Sequence, residues 1–446
     1  MSAPIHTPQT ASRESLEAWW LPYTGNRYFK DNPIIVTGAE GCYLTTSDGK
    51  AIFDGLSGLW CTGMGHGRRE IVDAVGKGIG KLDFAPSFLV GNDLAFEAAN
   101  KLKALTPAGL DYVFFTNSGS ESVETALKMA RAYWRQKGQA SKTKFIGRSR
   151  AYHGVNYGGM SAGGIGANRK LYGQGIDVDH LPHTCLEENR FSKGLPDKGI
   201  ELADALDELV ALHDASNIAA VIVEPISGSG GVLVPPKGYL KRLRELCTKH
   251  NILLIFDEVI TGFGRTGHAF AADAFGVTPD IMTLAKGLTN GCIPMGATVT
   301  NSEIYQTFMD NGGPDYMIEF PHGYTYSGHP VASAAAIAAM DLFSTEKLAD
   351  KAAQLAPYFE QQLHQLKGLK HIVDIRNFGL AGSVEIATLG NEPGKRPFEI
   401  FRRCWDAGVF VRAGGNSIQL APPFISDKGQ IDNLFNVLGE AISATN

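Results

Sequence analysis

Cysteine is scarce and scattered. The six cysteines lie at positions 42, 61, 185, 247, 292 and 404, with no C-x-x-C and no paired spacing. This argues against a disulfide framework or a structural zinc centre and fits a reducing compartment. Basic charge is not in excess either: 41 Lys and Arg stand against 46 Asp and Glu, for a net charge of −5. The chain therefore lacks the electrostatic footprint of a nucleic-acid or anionic-membrane binder. Its longest basic cluster, Lys142-Thr-Lys144 with Arg148 and Arg150, is short. No apolar run reaches the ~18 residues of a membrane span. Met1 to Gln9 carries neither the basic nor the apolar stretch of a secretory leader, so a cytoplasmic location is expected. Internal repeats and low-complexity linkers are also missing.

What is present is a chain of 446 residues, 44% hydrophobic and 20% charged, ordinary for a globular protein and long enough for about three domain-sized units. Glycine, at 52 residues, is about 12% of the chain against a usual ~7%, which points to many tight turns and close backbone approaches. From Glu70 to about Leu342, helical periods alternate with short apolar runs: Val113–Phe115, Ala219–Val223, Ile252–Phe256 and Ile281–Ala285. Strands apolar on both faces and separated by helices predict an α/β fold with a mainly parallel sheet covered by helices. Pro330–Met340 reads as a buried, Ala-rich connecting helix, and Lys347–Leu369 as an amphipathic one. Strands near His371–Ile375, Val384–Ile386, Val409–Arg412 and Ser417–Leu420, and a helix near Gly429–Ala444, complete a smaller α+β domain. The expected division is 1–69 as an N-terminal segment joining the small domain and the site entrance, 70–330 as the large domain, and 331–446 as connecting helix and C-terminal domain.

Three features carry chemistry. Tyr112-Val-Phe-Phe-Thr-Asn-Ser-Gly-Ser-Glu121 is a strand entering a small-residue turn at Ser118, Gly119 and Ser120. A helix follows, with Val123, Ala126, Leu127, Ala130 and Trp134 on one face. Free N–H groups at such a helix start form a phosphate cup, although an ordinary Ser cap has the same pattern. Asp257 follows five apolar residues and so sits at the carboxyl end of a buried strand, where ligands of open α/β sheets lie. It suits a cationic ring nitrogen or, equally, a strand-to-helix turn. Lys286 ends another apolar strand 29 residues later, about one βαβ unit, which predicts that both reach the same sheet edge. Burial lowers a lysine's pKa and frees its lone pair for Schiff-base chemistry. A phosphate cup, a buried acid and such a lysine together describe a pyridoxal 5′-phosphate site.

At these residues the chain resembles the class III pyridoxal phosphate aminotransferases. The stretch Asp257–Arg265 followed by Lys286 is similar to their signature. Leu56–Trp60, Tyr152-His-Gly154, Glu224-Pro-Ile226, His322–Pro330 and Val411–Gln419 extend the similarity over nearly the whole chain. Within the class it most resembles the β-alanine (ω-amino acid):pyruvate branch. The resemblance implies a fold-type I transferase in which Lys286 holds the cofactor aldehyde and moves protons, while Asp257 pairs with the pyridinium. It implies Tyr152 stacked on one ring face, Val259 on the other, and the phosphate held by the Ser118–Ser120 turn, with Thr325 contributed by a neighbouring subunit. Glu224 would tether the cofactor hydroxyl or satisfy a backbone turn. Arg412 would receive the substrate carboxylate, with Gln419 and Trp60 shaping its pocket. Ser227 departs from the class, which commonly has Gln there.

The function so implied moves an amino group from β-alanine, another ω-amino acid or a primary amine to pyruvate by a ping-pong route. The products are L-alanine and an aldehyde, malonate semialdehyde where β-alanine is the donor. Partners would be these small molecules and further copies of the chain, a dimer at least, with dimer and tetramer both open. The alternatives are 4-aminobutyrate or diamine donors, an aminomutase or racemase of the same fold, or a binding protein with a dead site. His153, His322 and His329 lack metal-ligand spacing and read as scaffold hydrogen-bonders, so no metal is expected.

Overall fold

The computed structural model describes residues 13–446; the Met1–Gln9 stretch read for a leader lies outside them. A seven-stranded sheet dominates, in the order Leu110–Thr116, Gly296–Asn301, Ile281–Leu284, Leu253–Asp257, Ile218–Val223, Lys144–Arg148, Val178–Leu181. Gly296–Asn301 runs antiparallel to both its neighbours, and every other pairing is parallel. The remaining six strands therefore point the same way, and their carboxyl ends form one edge. The apolar runs become strands because both faces are covered: Ile218–Val223 and Leu253–Asp257 are buried at every position. Each fully buried Val, Leu or Ile contributes roughly 1.5–3 kcal/mol. The antiparallel strand is the piece that apolar-run counting misses, because Gly296, Thr298 and Thr300 dilute its signal.

The C-terminal part forms a four-stranded antiparallel sheet, Ile372–Phe378, Ala381–Ile386, Ser417–Leu420 and Arg412–Gly414. A third sheet joins the N-terminal strands Val36–Glu40, Tyr43–Thr46 and Ala51–Asp54 to Val409–Phe410. The expected single strand Val409–Arg412 is thus divided between two sheets, with Val411 fully buried at the crossing. This division gives the N-terminal segment its attachment to the small domain and aims Arg412 along a separate hairpin.

The Ala-rich helix spans Pro330–Thr345. Ala332, Ala336 and Met340 belong to the core of the large sheet, and Ala335, Ala339, Leu342 and Phe343 to that of the small domain. The helix is apolar all round because both of its sides are covered. Its small side chains permit close approach: a Cβ on Gly78 would lie 3.0 Å from the Ala334 Cβ. Among the described residues, no helix is long and apolar enough to cross a membrane.

Candidate active site

Five of the strands that point toward the shared edge end in a turn that supplies the wall of one cavity of about 1530 Å³. Leu110–Thr116 leads to Ser118, Gly119 and Ser120. Lys144–Arg148 leads to Arg150, Tyr152, His153 and Gly154. Ile218–Val223 leads to Glu224, Leu253–Asp257 to Val259, and Ile281–Leu284 to Lys286. The facing wall comes from the small-domain hairpin, including Arg412, Gly414 and Ser417, and the roof from the N-terminal segment around Tyr23 and Tyr28.

Asp257 is buried and held from three sides. His153 Nδ1–H donates to Oδ2 at 2.8 Å, while Thr283 Oγ1 and the Val259 N–H donate to Oδ1 at 3.1 and 3.2 Å. These bonds fix the carboxylate in place. His153 is therefore the scaffold hydrogen-bonder its sequence position suggested; Thr283 carried no sequence signal beyond a polar residue in an apolar strand. Lys286 sits just past its strand in left-handed backbone at φ 46° and lines the cavity. Burial is the main cause pushing its ammonium below the ordinary lysine value, and the Arg412 charge pushes the same way. The Cys61 thiol and the Asp257 carboxylate oppose that shift. Cys61, which the sequence did not single out, has its own pKa raised by burial.

At the helix start, Ser118 caps by accepting the Glu121 N–H at 3.2 Å, and Ser120 Oγ accepts the Val155 N–H at 3.1 Å. The backbone N–H groups of Gly119 and Ser120 have no hydrogen-bond partner among the described residues. A Cβ on Gly119 would lie 2.9 Å from Val259 Cγ1, so only glycine lets the turn approach that side chain. Unpaired donors at the positive end of a helix, beside backbone without a side chain, fit a phosphate group.

Glu224 is buried and accepts the N–H groups of Tyr152 at 2.9 Å and Gly228 at 3.0 Å; burial raises its pKa. Its contacts within the chain are thus those of the backbone-turn alternative. Ser227 is engaged by the buried Arg148, whose Nη2 donates to its Oγ at 3.0 Å. The Tyr152 phenol is raised by burial and by the neighbouring Tyr23 phenol.

Arg412 lines the cavity and forms no ion pair or hydrogen bond with another described side chain. Burial lowers its pKa, opposed by the Tyr152 and Tyr23 phenols. Three expected residues fall elsewhere. Gln419 is fully buried behind the wall, with Nε2 donating to the Ser229 carbonyl at 3.1 Å and Oε1 unpartnered. It acts on the lining through Ser229. Trp60 does not reach the large cavity: its ring is buried among Leu56, Ile226, Val232 and Ile260, beside Arg265. The chain twists at Gly58 (φ 66°) and Trp60 (φ 65°), which turns Trp60 inward and leaves half-exposed Leu59 on the cavity wall. Thr325 is exposed and is not part of this lining.

The family description Aminotransferase class-III matches residues 25–442. The chain is a class III aminotransferase. An omega-amino acid–pyruvate aminotransferase of Pseudomonas putida is 56% identical over 435 residues, 97% of each chain. A beta-alanine–pyruvate aminotransferase of Pseudomonas aeruginosa is 53% identical over 445 residues, 99% of each. Among solved structures, an amine transaminase from an uncultivated Pseudomonas species, in its PLP-bound form, superposes with a TM-score of 0.88 at 35% identity, covering 96% of this chain and 98% of that one. This class III aminotransferase therefore has the fold-type I architecture and uses pyridoxal phosphate. The unpaired N–H groups of the glycine turn, the fixed Asp257 carboxylate and the desolvated Lys286 amine fit that cofactor's phosphate, ring nitrogen and aldehyde in turn.

Proposed function

We propose that the enzyme transfers the amino group of β-alanine or another ω-amino acid to pyruvate, giving L-alanine and, from β-alanine, malonate semialdehyde. One observation carries this reading: Arg412, a guanidinium with no acid partner among the described residues, lines the same cavity as Lys286. A donor with a carboxylate at one end and an amine at the other matches that pair. A diamine would bring a second cation toward Arg412, which costs rather than gains energy.

Pyridoxal phosphate, when bound, supplies an electron-withdrawing ring that accepts the electron pair left when the donor's C–H bond breaks. The protein does the rest. Asp257 holds a positive charge at the ring nitrogen, and His153 and Thr283 keep its carboxylate in place. Lys286 Nζ takes the proton from the amine-bearing carbon and hands it on; its lowered pKa favours the neutral amine that can receive a proton. Gly119, Ser120 and the Ser118 cap would anchor the phosphate, Tyr152 and Val259 would hold the ring, and Glu224 would serve its hydroxyl. Arg412 orients the carboxylates of β-alanine and pyruvate, and Gln419 positions the hairpin that carries it.

The chain divides into an N-terminal segment, 1–69, a large domain, 70–330, and a helix with C-terminal domain, 331–446. It works in the cytoplasm as a homodimer or a larger homo-oligomer. Phe84, Phe88, Leu89, Phe96 and Tyr326 are exposed, and the ring contact of Phe84 with Tyr326 and the closeness of Phe88 to Gly323 join them beside Thr325. An apolar patch of this kind is suited to a second copy, whose cavity Thr325 would complete.

The test is a half-reaction. Adding β-alanine without a keto acid should bleach the visible band of the yellow holoenzyme, and pyruvate should restore it with one L-alanine per site. Bleaching by a simple amine but not by β-alanine would overturn the donor assignment.

A further inference from the structure

Arg265 closes the stretch that begins at Asp257, yet it is not part of the lining of the large cavity. It is 2% exposed, and no carboxylate pairs with it among the described residues. Burial lowers its pKa, and the charge of Asp54 is the first to oppose that shift. Asp54 itself is taken: it pairs with His66 Nε2 at 2.7 Å and accepts the N–H groups of Leu56 and Gly58.

The guanidinium is held instead by neutral oxygens from two distant stretches of chain. Nη1 donates to the carbonyls of Leu380 at 3.1 Å and Pro422 at 2.8 Å, and Nη2 to Ser57 Oγ at 3.2 Å. The Arg265 carbonyl in turn accepts the Leu380 N–H at 3.0 Å, which makes a two-point clasp on that residue. Ser57 extends the link by donating from Oγ to the Ala421 carbonyl at 2.7 Å. A Cβ on Gly379 (φ 56°) would lie 2.5 Å from the Arg265 carbonyl oxygen, so only glycine lets that turn close this far.

These acceptors root the sheet that carries Arg412. Leu380 precedes the strand Ala381–Ile386 and Pro422 follows Ser417–Leu420, and the two strands pair from Gly382 with Leu420 to Glu385 with Ser417. Gln419, the ladder partner of Arg412, lies three residues before Pro422, roughly 10 Å of strand. The loop bearing Arg265 is equally fixed to the lysine edge. Fully buried Glu258 accepts the N–H groups of Ala271 and Ala272 at 2.6 and 2.7 Å and the Thr261 hydroxyl at 2.9 Å, which ties both ends of the loop to the residue after Asp257. Phe263 packs on Gly287 beside Lys286, where a Cβ would lie 2.9 Å from the Phe263 Cβ. A buried charge satisfied only by neutral oxygens holds tightly to the arrangement that supplies them, because separation leaves it unpaired away from water. A guanidinium fork also reaches several acceptors at once, which an ammonium does less rigidly.

Resting on the amine-and-carboxylate reading above, we infer that Arg265 is a positioning residue for donor recognition. It sets how far the Arg412 strand stands from Lys286, and thereby the carboxylate-to-amine spacing that the site accepts.

The test is single-turnover bleaching of the holoenzyme without a keto acid, by β-alanine and by 1-aminopropane, which has no carboxylate. In Arg265→Met the donor concentration giving half the limiting rate should rise for β-alanine about tenfold or more beyond its rise for 1-aminopropane, since a misplacement of about 1 Å can cost about a hundredfold. In an Arg412→Met background the same substitution should add no further discrimination between the two donors. Equal losses for both donors in Arg265→Met would mean that Arg265 serves only the fold, and would overturn the inference. So would a discrimination that survives undiminished in the Arg412→Met background. Parallel losses for both donors in Arg412→Met alone would remove the carboxylate reading and this inference with it. Discrimination by Arg412→Met but not by Arg265→Met would remove this inference alone. If Arg265→Met loses its cofactor or melts early, Ser57→Ala, which takes away the acceptor of Nη2, makes the same comparison.

Discussion

The two walls of the cavity are built on opposite terms. On the sheet-edge wall, the buried carboxylate is engaged by the protein on both oxygens: Asp257 accepts from His153, Thr283 and the Val259 N–H. On the hairpin wall, Arg412 faces the cavity with no acid partner among the described residues. The difference follows from what each wall holds. A resident cofactor is served by groups fixed in advance, because rigid placement lowers the ordering cost of binding. A ligand that comes and goes with each turnover needs charge that the protein has left uncommitted. The Gly119–Ser120 turn combines both terms, with a backbone fixed by its Ser cap and N–H groups left open.

The largest test of this contrast is Asp257→Asn. It removes the negative charge while keeping the shape, and leaves a cationic ring nitrogen without its partner. Truncating a buried charge pair costs about 3–5 kcal/mol, which is hundreds- to thousands-fold in rate. A loss below tenfold, measured as single-turnover bleaching by β-alanine, would break the claim that this wall is the electrostatic anchor. A smaller effect is expected from Arg412→Met. The loss of a charge-assisted bond is about 1.5–3 kcal/mol, so kcat/KM for β-alanine should fall roughly tenfold to a hundredfold further than kcat/KM for a simple primary amine. Parallel losses for the two donors would remove Arg412 from carboxylate recognition.

The smallest effect is a displaced pH profile. Burial lowers the Lys286 pKa from the ordinary 10.5, so its neutral amine, the form that condenses with an aldehyde, is more abundant at any given pH near neutrality. Pyridoxal phosphate uptake by the apoenzyme should accelerate as pH rises and level off below 10.5. A plateau reached only at or above that value would mean that the lysine is solvated like a surface residue.

Much of the sheet-edge wall was legible before any coordinates. Asp257 and Lys286 announce themselves because a charged residue at the end of a fully apolar run has few structural uses, and their spacing of one βαβ unit fixes them as neighbours. The small-residue turn at Ser118–Ser120 is legible for a similar reason, since its residue types match a strand-to-helix connection. The hairpin wall is harder to read. The division of Val409–Arg412 between two sheets depends on pairing partners hundreds of residues away. The inward turn of Trp60 depends on positive φ angles at Ser57, Gly58 and Trp60, which no local pattern of side chains encodes. The antiparallel strand Gly296–Asn301 is missed because threonines buried in a sheet resemble, one at a time, those of a loop.

The Pro330–Thr345 helix has a consequence for how the molecule comes apart. Because Ala332 and Ala336 close one core while Ala335 and Ala339 close the other, it is a party wall rather than a hinge. Melting either half strips the shared helix of one covered face and exposes apolar surface on the half still folded. The two halves are thereby coupled in unfolding, and the spacing between the lysine on one and the arginine on the other persists only while both remain native.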